Sequence, residues 1–511
     1  MSHHLRGVAM AAQPVHPIPS LVAVPTGKNI VICCDGTGNE FGSTNSNVLK
    51  LYTTLDLDDP ARQIAYYHPG VGTMGDPAIR QWLPRQWSVI KGLAFGLGFK
   101  NNVFDAYRYL MEVYNPGDHI YLFGFSRGAY TARALAGLLH GYGLLHRGNE
   151  GHLAYAWRLF VNEIKKQRSQ LKKDRKDRTT PNAHTIAHNT AFADTFSRVV
   201  RLRFVGVWDT VSSIGWIYEP LRLLSLAQNP IIDVARHAVS IDEKRAFFRD
   251  NLYGPPLNDQ QDIVQLWFPG VHSDVGGSYP REDSGPANTT LRWMLREAQR
   301  NHAILHQERV DLVLGKPSGQ PDLDKLYTPP AAPFHKLNNS LNWKWWIPQF
   351  LPQQHYDKDD AQINWRVPFW TPRELPVDAL VHSSAVDRID KPPATEPPYK
   401  PRNLVRAWLH PVQRGMIATK ADLDGCFIYQ PVGRHPPTAS QTLKRRLIVL
   451  VMAIIDILAA LKVFTLLGLL FYWLVPRLLH LAWYPCHWVY LYCAFVWHHM
   501  VAIAHWLGPH L

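Results

Sequence analysis

The chain is short of cysteine, of internal repeats and of early apolar spans, and each shortage excludes something. Its five cysteines make no disulfide framework: Cys33 and Cys34 are adjacent, Cys426, Cys486 and Cys493 are scattered, and the number is odd. A reducing compartment is the expectation for at least the part that carries the first pair. Without an internal repeat, a solenoid or propeller is excluded. The first 26 residues are rich in proline, alanine and histidine and lack an apolar core, so no secretory signal is expected and residues 1–27 read as a disordered tail. Acidic residues are also in deficit, 41 against 54 lysines and arginines, for a formal net charge of +13. Much of that excess falls in the stretch Lys165–Arg178, which reads either as a solvated charge run or as a surface drawn to anionic headgroups. No nucleic-acid motif accompanies it, so nucleic acid is not an expected partner.

What the chain does have is apolar content, 46% of its residues, enough for a large core and more than one structural unit. Its most informative stretch is Gly124-Phe125-Ser126-Arg127-Gly128. A G-x-S-x-G pattern alone is a weak signal. Here it follows the apolar run His119–Phe123 and precedes Ala129–Leu139, where apolar residues recur at helical spacing. Strand, sharp turn and helix is the setting of a nucleophile elbow, whose flanking glycines avoid a Cβ clash. The alternative is a glycine-rich turn with an exposed serine.

A serine hydroxyl needs a histidine base and an orienting carboxylate, and on an open α/β sheet these follow in the order serine, acid, histidine. Arg203–Val211 reads as a strand that delivers Asp209 at its carboxyl end. Trp267–Gly277 reads as a strand end followed by a glycine-rich loop carrying His272. Both positions lie where a strand stops, the edge at which such sheets gather catalytic groups. The plainer readings are a capping carboxylate and a buried structural histidine. Asp274 competes as the orienting acid, but it is two residues from His272, so Asp209 is favoured and Asp274 is expected to brace the loop.

An oxyanion hole would take the backbone N–H of Arg127 and a second donor from the loop after an early strand. Lys28–Cys34 is such a strand, and Asp35-Gly36-Thr37-Gly38-Asn39 follows it, so Gly36 and Thr37 are the candidates. No G-K-[S/T] follows, which argues against a Walker-type phosphate loop. Asp35 is open between a supporting carboxylate, a turn cap and a metal ligand, and no metal site is predicted. Lys91–Phe99 reads as a phosphate loop or, with more weight, as the close-packed start of a helix.

Five segments occur together and in order: Ile32–Asn39, Tyr66–Thr73, Leu122–Arg133, Val207–Val211 and Phe268–Gly277. With them the chain resembles the α/β-hydrolase domain of the type VI secretion phospholipase effectors, a family long filed as a domain of unknown function. The resemblance spans residues 28 to about 300, with a weaker echo near Val381-His382 and Tyr399–Leu404. It implies an esterase of glycerophospholipids with Ser126, Asp209 and His272 as its triad, and no cofactor is expected. It does not imply that this chain is itself secreted.

Toward the C-terminus the chain changes character. Leu447–Val475 is apolar apart from Asp456 and Lys462, and as a helix of about 44 Å it exceeds a roughly 30 Å hydrocarbon core. Pro476-Arg477 interrupts it, and Leu478–Leu507 continues with many tryptophans and tyrosines, residues that favour membrane interfaces. A membrane hairpin is the expectation, with Lys444-Arg445-Arg446 placing the catalytic part on the cytoplasmic side. Soluble amphipathic helices or an in-plane hairpin are the alternatives.

The expected architecture is therefore α/β: an α/β-hydrolase-like, mostly parallel sheet with helices on both faces over residues 28–325, and a C-terminal helical hydrophobic hairpin over residues 444–511. Residues 326–443, rich in proline and tryptophan, read as irregular structure packed on the catalytic domain. The expected function is a membrane-attached serine hydrolase of phospholipids, of the phospholipase A type, with lipid and an anionic membrane surface as partners and a protein partner left open. The alternatives are an esterase or thioesterase of small soluble substrates, a catalytically silent module, and a membrane-inserting element.

Overall fold

The six buried residues Asn29–Cys34 form the first strand, β1, whose two faces serve two different cores. Ile30, Ile32 and Cys34 point to one side, Val31 and Cys33 to the other, as the two-residue period of a strand requires. Strands buried on both faces read as continuous apolar runs, and in this computed structural model β1 lies within a nine-stranded sheet. The structure describes residues 27–431 apart from 37–41, 43, 71–87, 178–188, 212–227, 246–247, 317–318, 320–335, 342–348, 350–352, 357–362, 367, 369, 393–397 and 414–415.

The other strands of that sheet are β2 (Gln63–His68), β3 (His119–Phe125), β6 (Leu202–Trp208), β7 (Ile232–Ser240), β8 (Asp262–Phe268), β11 (Ala379–Val381), β12 (Leu409–Pro411) and β13 (Phe427–Tyr429). Two antiparallel pairs stand outside it: β4 (Leu144–Leu145) with β5 (Ser197–Arg198), and β9 (Gln353–Tyr356) with β10 (Ile363–Arg366). The order across the large sheet is β12-β13-β11-β8-β7-β6-β3-β1-β2. From β2 through to β11 neighbouring strands are parallel, and β13 and β12 close that edge antiparallel. Since β1 has β2 on one side and β3 on the other, the winding reverses there, which is where open α/β sheets form a crevice at their carboxyl edge.

The helices are α1 (Asn47–Thr54), α2 (Ser88–Val113), α3 (Arg127–Tyr142), α4 (Leu153–Asp177), α5 (Thr190–Phe196), α6 (His272–Gly276), α7 (Gly285–Arg300), α8 (Gln307–Val313) and α9 (Ser383–Asp390). On one face of the sheet, Val103, Tyr107 and Leu110 of α2, Tyr130, Leu135 and Leu138 of α3 and Phe160 of α4 pack with Ile30 and Ile32. On the other, Val48 and Leu51 of α1 and Leu291, Met294 and Leu295 of α7 pack with Val31 and Cys33. The chain thus has a mostly parallel central sheet with helices on both faces. Helix α3 is buried almost all round, so alanines at four of its positions (Ala129, Ala132, Ala134 and Ala136) are what let it approach the sheet closely. Gly143, at φ 69°, ends it.

Lys91–Phe99 lies inside α2, as the more heavily weighted of its two readings expected, and one other expectation changes. Part of the segment read as irregular supplies three strands of the central sheet: β11 runs parallel to β8, pairing Leu380 with Leu266, and β13 pairs with β11 and β12. Leu375, Val381, Leu404 and Tyr429 form a third core with Val239 and Trp267 of β7 and β8. Strands of three residues are too short to show an alternating pattern in a proline-rich sequence, which is why the reading missed them.

Among the described residues no helix is long and apolar enough to cross a membrane. The C-terminal hairpin expected over residues 444–511 lies outside the described residues, as does the N-terminal tail expected over residues 1–27 but for its last residue.

Candidate active site

The elbow sits between β3 and α3. Ser126 adopts φ 58° and ψ −120°, a conformation costly for any residue with a Cβ. Two close approaches hold it there. A Cβ at Gly124 would lie 2.6 Å from the Gly128 carbonyl oxygen, and one at Gly128 would lie 2.1 Å from the carbonyl oxygen of Cys34. Only glycine permits both, so the strand can turn straight into the helix and β1 can pass beneath it. The Ser126 N–H donates to the Trp208 carbonyl at 3.1 Å, which ties the elbow to the end of β6.

Asp209 is the residue after β6, where Trp208 stands in register with Phe125 of β3. Its own φ of 41° turns the chain out of the sheet. His272 is the first residue of α6, four residues past β8. The topology therefore brings three sequence-distant residues to the same sheet edge. His272 Nε2 lies 2.8 Å from Ser126 Oγ, and His272 Nδ1 lies 2.5 Å from Asp209 Oδ2. With the carboxylate ionised, Nδ1–H donates to Asp209 and Nε2 is left to accept the serine proton. The imidazole is held between Phe125, with ring centroids 4.6 Å apart and planes at 31°, and the edge of Phe248 at 4.8 Å.

Asp209 is more heavily bonded than its sequence context suggests. Oδ1 accepts from the Ser240 N–H at 2.9 Å and from Arg373 Nη1 at 2.5 Å; Oδ2 accepts from His272 and from Arg373 Nη2 at 3.0 Å. Burial alone would raise this carboxyl group, but the Arg373 guanidinium and the His272 ring outweigh it and hold Asp209 well below the usual carboxylate range. His272 is itself lowered, chiefly by burial, with Asp209 pulling the other way. The base therefore rests neutral.

Arg373 escaped the sequence reading. It lies in the segment 326–443, in the run Thr371-Pro372-Arg373-Glu374-Leu375, and no spacing connects it with Asp209. The signal closest to it was the echo at Tyr399–Leu404: Asn403 Nδ2 donates to the carbonyls of Arg373 and Ile241 at 2.9 and 2.8 Å.

The remaining candidates fall as follows. Asp274 does not bond His272; its Oδ2 accepts from the Val271 N–H at 3.0 Å and the Asn338 N–H at 3.1 Å, and Oδ1 from Asn338 Nδ2 at 2.7 Å. Burial, with the nearby Asp242 carboxylate adding to it, outweighs these hydrogen bonds and raises it to about 7. Asp35 joins β1, β2 and the start of α1: Oδ2 accepts from Ser46 Oγ at 2.5 Å and Tyr67 Oη at 2.7 Å. Its Oδ1 accepts the Gly36 N–H at 2.6 Å, so that donor is turned toward Asp35. Thr37 lies outside the described residues. Arg127 opens α3, so its main chain stands at the positive end of a 16-residue helix. Among the described residues one group could hold a metal ion, Asp56, Asp58 and His306, and it shares no residue with this site.

A search among curated proteins finds an uncharacterized protein of Saccharomyces cerevisiae, 36% identical over 239 residues, which cover 45% of this chain and 33% of that protein. The chain thus matches about a third of that relative's length. Among solved structures, an uncharacterized protein from Pseudomonas aeruginosa is similar at 18% identity, covering 60% of this chain and 49% of that one, with a TM-score of 0.34. Another is the Tle1 effector bound to the VgrG spike of the type VI secretion system, at 20% identity, 52% and 53% coverage and a TM-score of 0.24. The family model for the catalytic domain of Tle1-like type VI secretion phospholipase effectors matches residues 28–297, and the chain belongs to that family.

Proposed function

We propose that this chain is a serine esterase that hydrolyses acyl esters of phospholipids, with Ser126 as nucleophile, His272 as general base and acid, and Asp209 as the orienting carboxylate. The observation that carries the proposal is the unbroken line Ser126 Oγ, His272 Nε2, His272 Nδ1, Asp209 Oδ2, with steps of 2.8 and 2.5 Å, on a strained elbow. Family membership supports lipid as the substrate class.

In this mechanism Ser126 Oγ attacks the ester carbonyl carbon while its proton passes to His272 Nε2. The imidazolium stays paired with Asp209, which remains ionised. The tetrahedral oxyanion sits at the N-terminus of α3, where the Arg127 N–H is one donor. The second comes from the loop after Asp35; because the Gly36 N–H is turned to Asp35, Thr37 is the better candidate. The C–O bond to the lysophospholipid then breaks and His272 returns its proton to the leaving alkoxide. Water repeats the sequence on the acyl-serine, releases the fatty acid and restores Ser126. Loss of one acyl chain from a glycerophospholipid is phospholipase A chemistry.

Membrane attachment belongs to the same proposal and rests on the apolar stretches Leu447–Val475 and Leu478–Leu507. The test treats anionic phospholipid vesicles with the full chain or with Ser126→Ala and measures products by mass spectrometry. The expected result is lysophospholipid and free fatty acid with the wild type only. Hydrolysis of short soluble esters with intact phospholipid would overturn the lipid reading, and equal products from both proteins would overturn the serine.

A further inference from the structure

We infer that Arg373 is a positioning residue of this site: its guanidinium locks the Asp209 carboxylate in the one orientation that meets His272. The inference rests on the triad reading and extends it beyond the residues that the family match covers, which end at 297.

The geometry carries it from both sides. An ionised carboxylate offers about four lone-pair sites, and Asp209 has four donors: the Ser240 N–H, Arg373 Nη1, Arg373 Nη2 and His272 Nδ1. Rotation about its Cβ–Cγ bond would break all of them. The arginine is equally committed. Nε and Nη2 donate to the Phe248 carbonyl at 3.0 and 2.6 Å, and Nη1 also donates to Ser240 Oγ at 2.7 Å. Phe248 is the residue whose ring buttresses His272, so one residue anchors the clamp and supports the base. Arg373 is 2% exposed and Asp209 1%, so water does not compete for either. A lysine has the charge but lacks the planar fork that bonds both oxygens at once.

The clamp has an electrical consequence as well. A buried carboxylate with only a neutral imidazole beside it would tend to take up a proton, and a protonated Asp209 could no longer hold Nδ1–H toward itself. The guanidinium keeps it ionised. It also offsets part of the charge that would stabilise imidazolium, which keeps His272 available as a base. Other charged or titratable groups face this cluster: Glu243, whose Oε2 accepts the His272 N–H at 3.2 Å, its partner Arg245, Asp250 opposite Arg373, and His237 and Arg133 behind Asp209. None of these has a hydrogen bond to the Asp209 carboxylate among the described residues.

The test uses the full chain with a soluble chromogenic ester and compares Arg373→Gln, Arg373→Lys, Asp209→Asn, the double variant Asp209→Asn/Arg373→Gln and Ser126→Ala. Arg373→Gln is expected to lower kcat roughly 10- to 100-fold, the range of residues that orient a functional histidine, with KM within about twofold and the acid limb of the pH profile moved upward. Arg373→Lys should lose kcat while keeping the limb in place. In the Asp209→Asn background, Arg373→Gln should cost less than about threefold, because its effect runs through the carboxylate. Wild-type kcat and an unmoved limb in Arg373→Gln would overturn the inference, as would effects of Asp209→Asn and Arg373→Gln that multiply. If Arg373→Gln does not fold, Arg373→Lys decides alone: unchanged kcat overturns the inference, and lost kcat at constant KM supports it. Turnover that survives in Ser126→Ala overturns the triad reading itself, a different outcome from any of these.

Discussion

Two aspartates flank the same histidine, and the protein treats them in opposite ways. Asp209, at the end of β6, meets a guanidinium, a main-chain N–H and the imidazole, and is held strongly ionised. Asp274, two residues past His272, is also buried, but among the described residues its donors are the uncharged Val271 and Asn338, and it is raised to about 7. Burial is common to both, so the difference is the cation. The first environment suits a permanent charge that steers a base; the second suits a brace that tolerates a proton. Proximity in sequence therefore says little about which carboxylate serves a histidine.

The largest expected effect breaks the first environment outright. Asp209→Asn should reduce kcat by about 10⁴-fold, the scale of a triad left with the wrong imidazole tautomer, as measured by steady-state kinetics on a soluble ester. The same change leaves Arg373 buried without its partner. Unfolding in urea should accordingly show Asp209→Asn or Arg373→Gln destabilised by ~3–5 kcal/mol.

A second effect is read in pH. Because His272 is lowered from the ordinary imidazole value near 6.5, the acid limb of kcat/KM should fall below that pH. A limb above it would mean that Asp209 stabilises imidazolium more than burial opposes it.

The two aspartates should also pull stability in opposite directions. Asp209 is depressed, so its contribution is fully present above the unfolded carboxyl value of about 4 and is lost only as pH drops through its lower folded value. Asp274 is raised, so between about pH 4 and about 7 the folded state holds a proton that the unfolded state has released, and stability declines as pH rises through that window. Asp274→Asn should remove this decline in a series of thermal melts, a shift on the order of 2 °C, while changing kcat by less than about threefold.

The sequence shows the first environment in part and the second hardly at all. Ser126, Asp209 and His272 were legible because each follows an apolar strand, and the parallel sheet carries every such strand end to one edge. The glycines at 124 and 128 were legible because a Cβ fits at neither. Arg373 was not, since its bond to Asp209 spans 164 residues and is set by the packing of Leu375, Leu404 and Tyr429 against β7 and β8. The strands β11, β12 and β13 were hidden for the same reason: three residues each, they take their conformation from the edge of β8 and not from their own pattern. The second oxyanion donor was placed on a loop whose first N–H turns out to bond its own neighbour, a local Asx-type contact that composition does not reveal.

The most direct test of the central claim is site-resolved labelling with a fluorophosphonate, which phosphonylates only an activated serine. After incubation and proteolysis, mass spectrometry should find the adduct on the peptide carrying Ser126, with labelling abolished in Ser126→Ala and strongly slowed in Asp209→Asn. An unlabelled Ser126 in folded protein, or equal labelling in Asp209→Asn, would contradict the account.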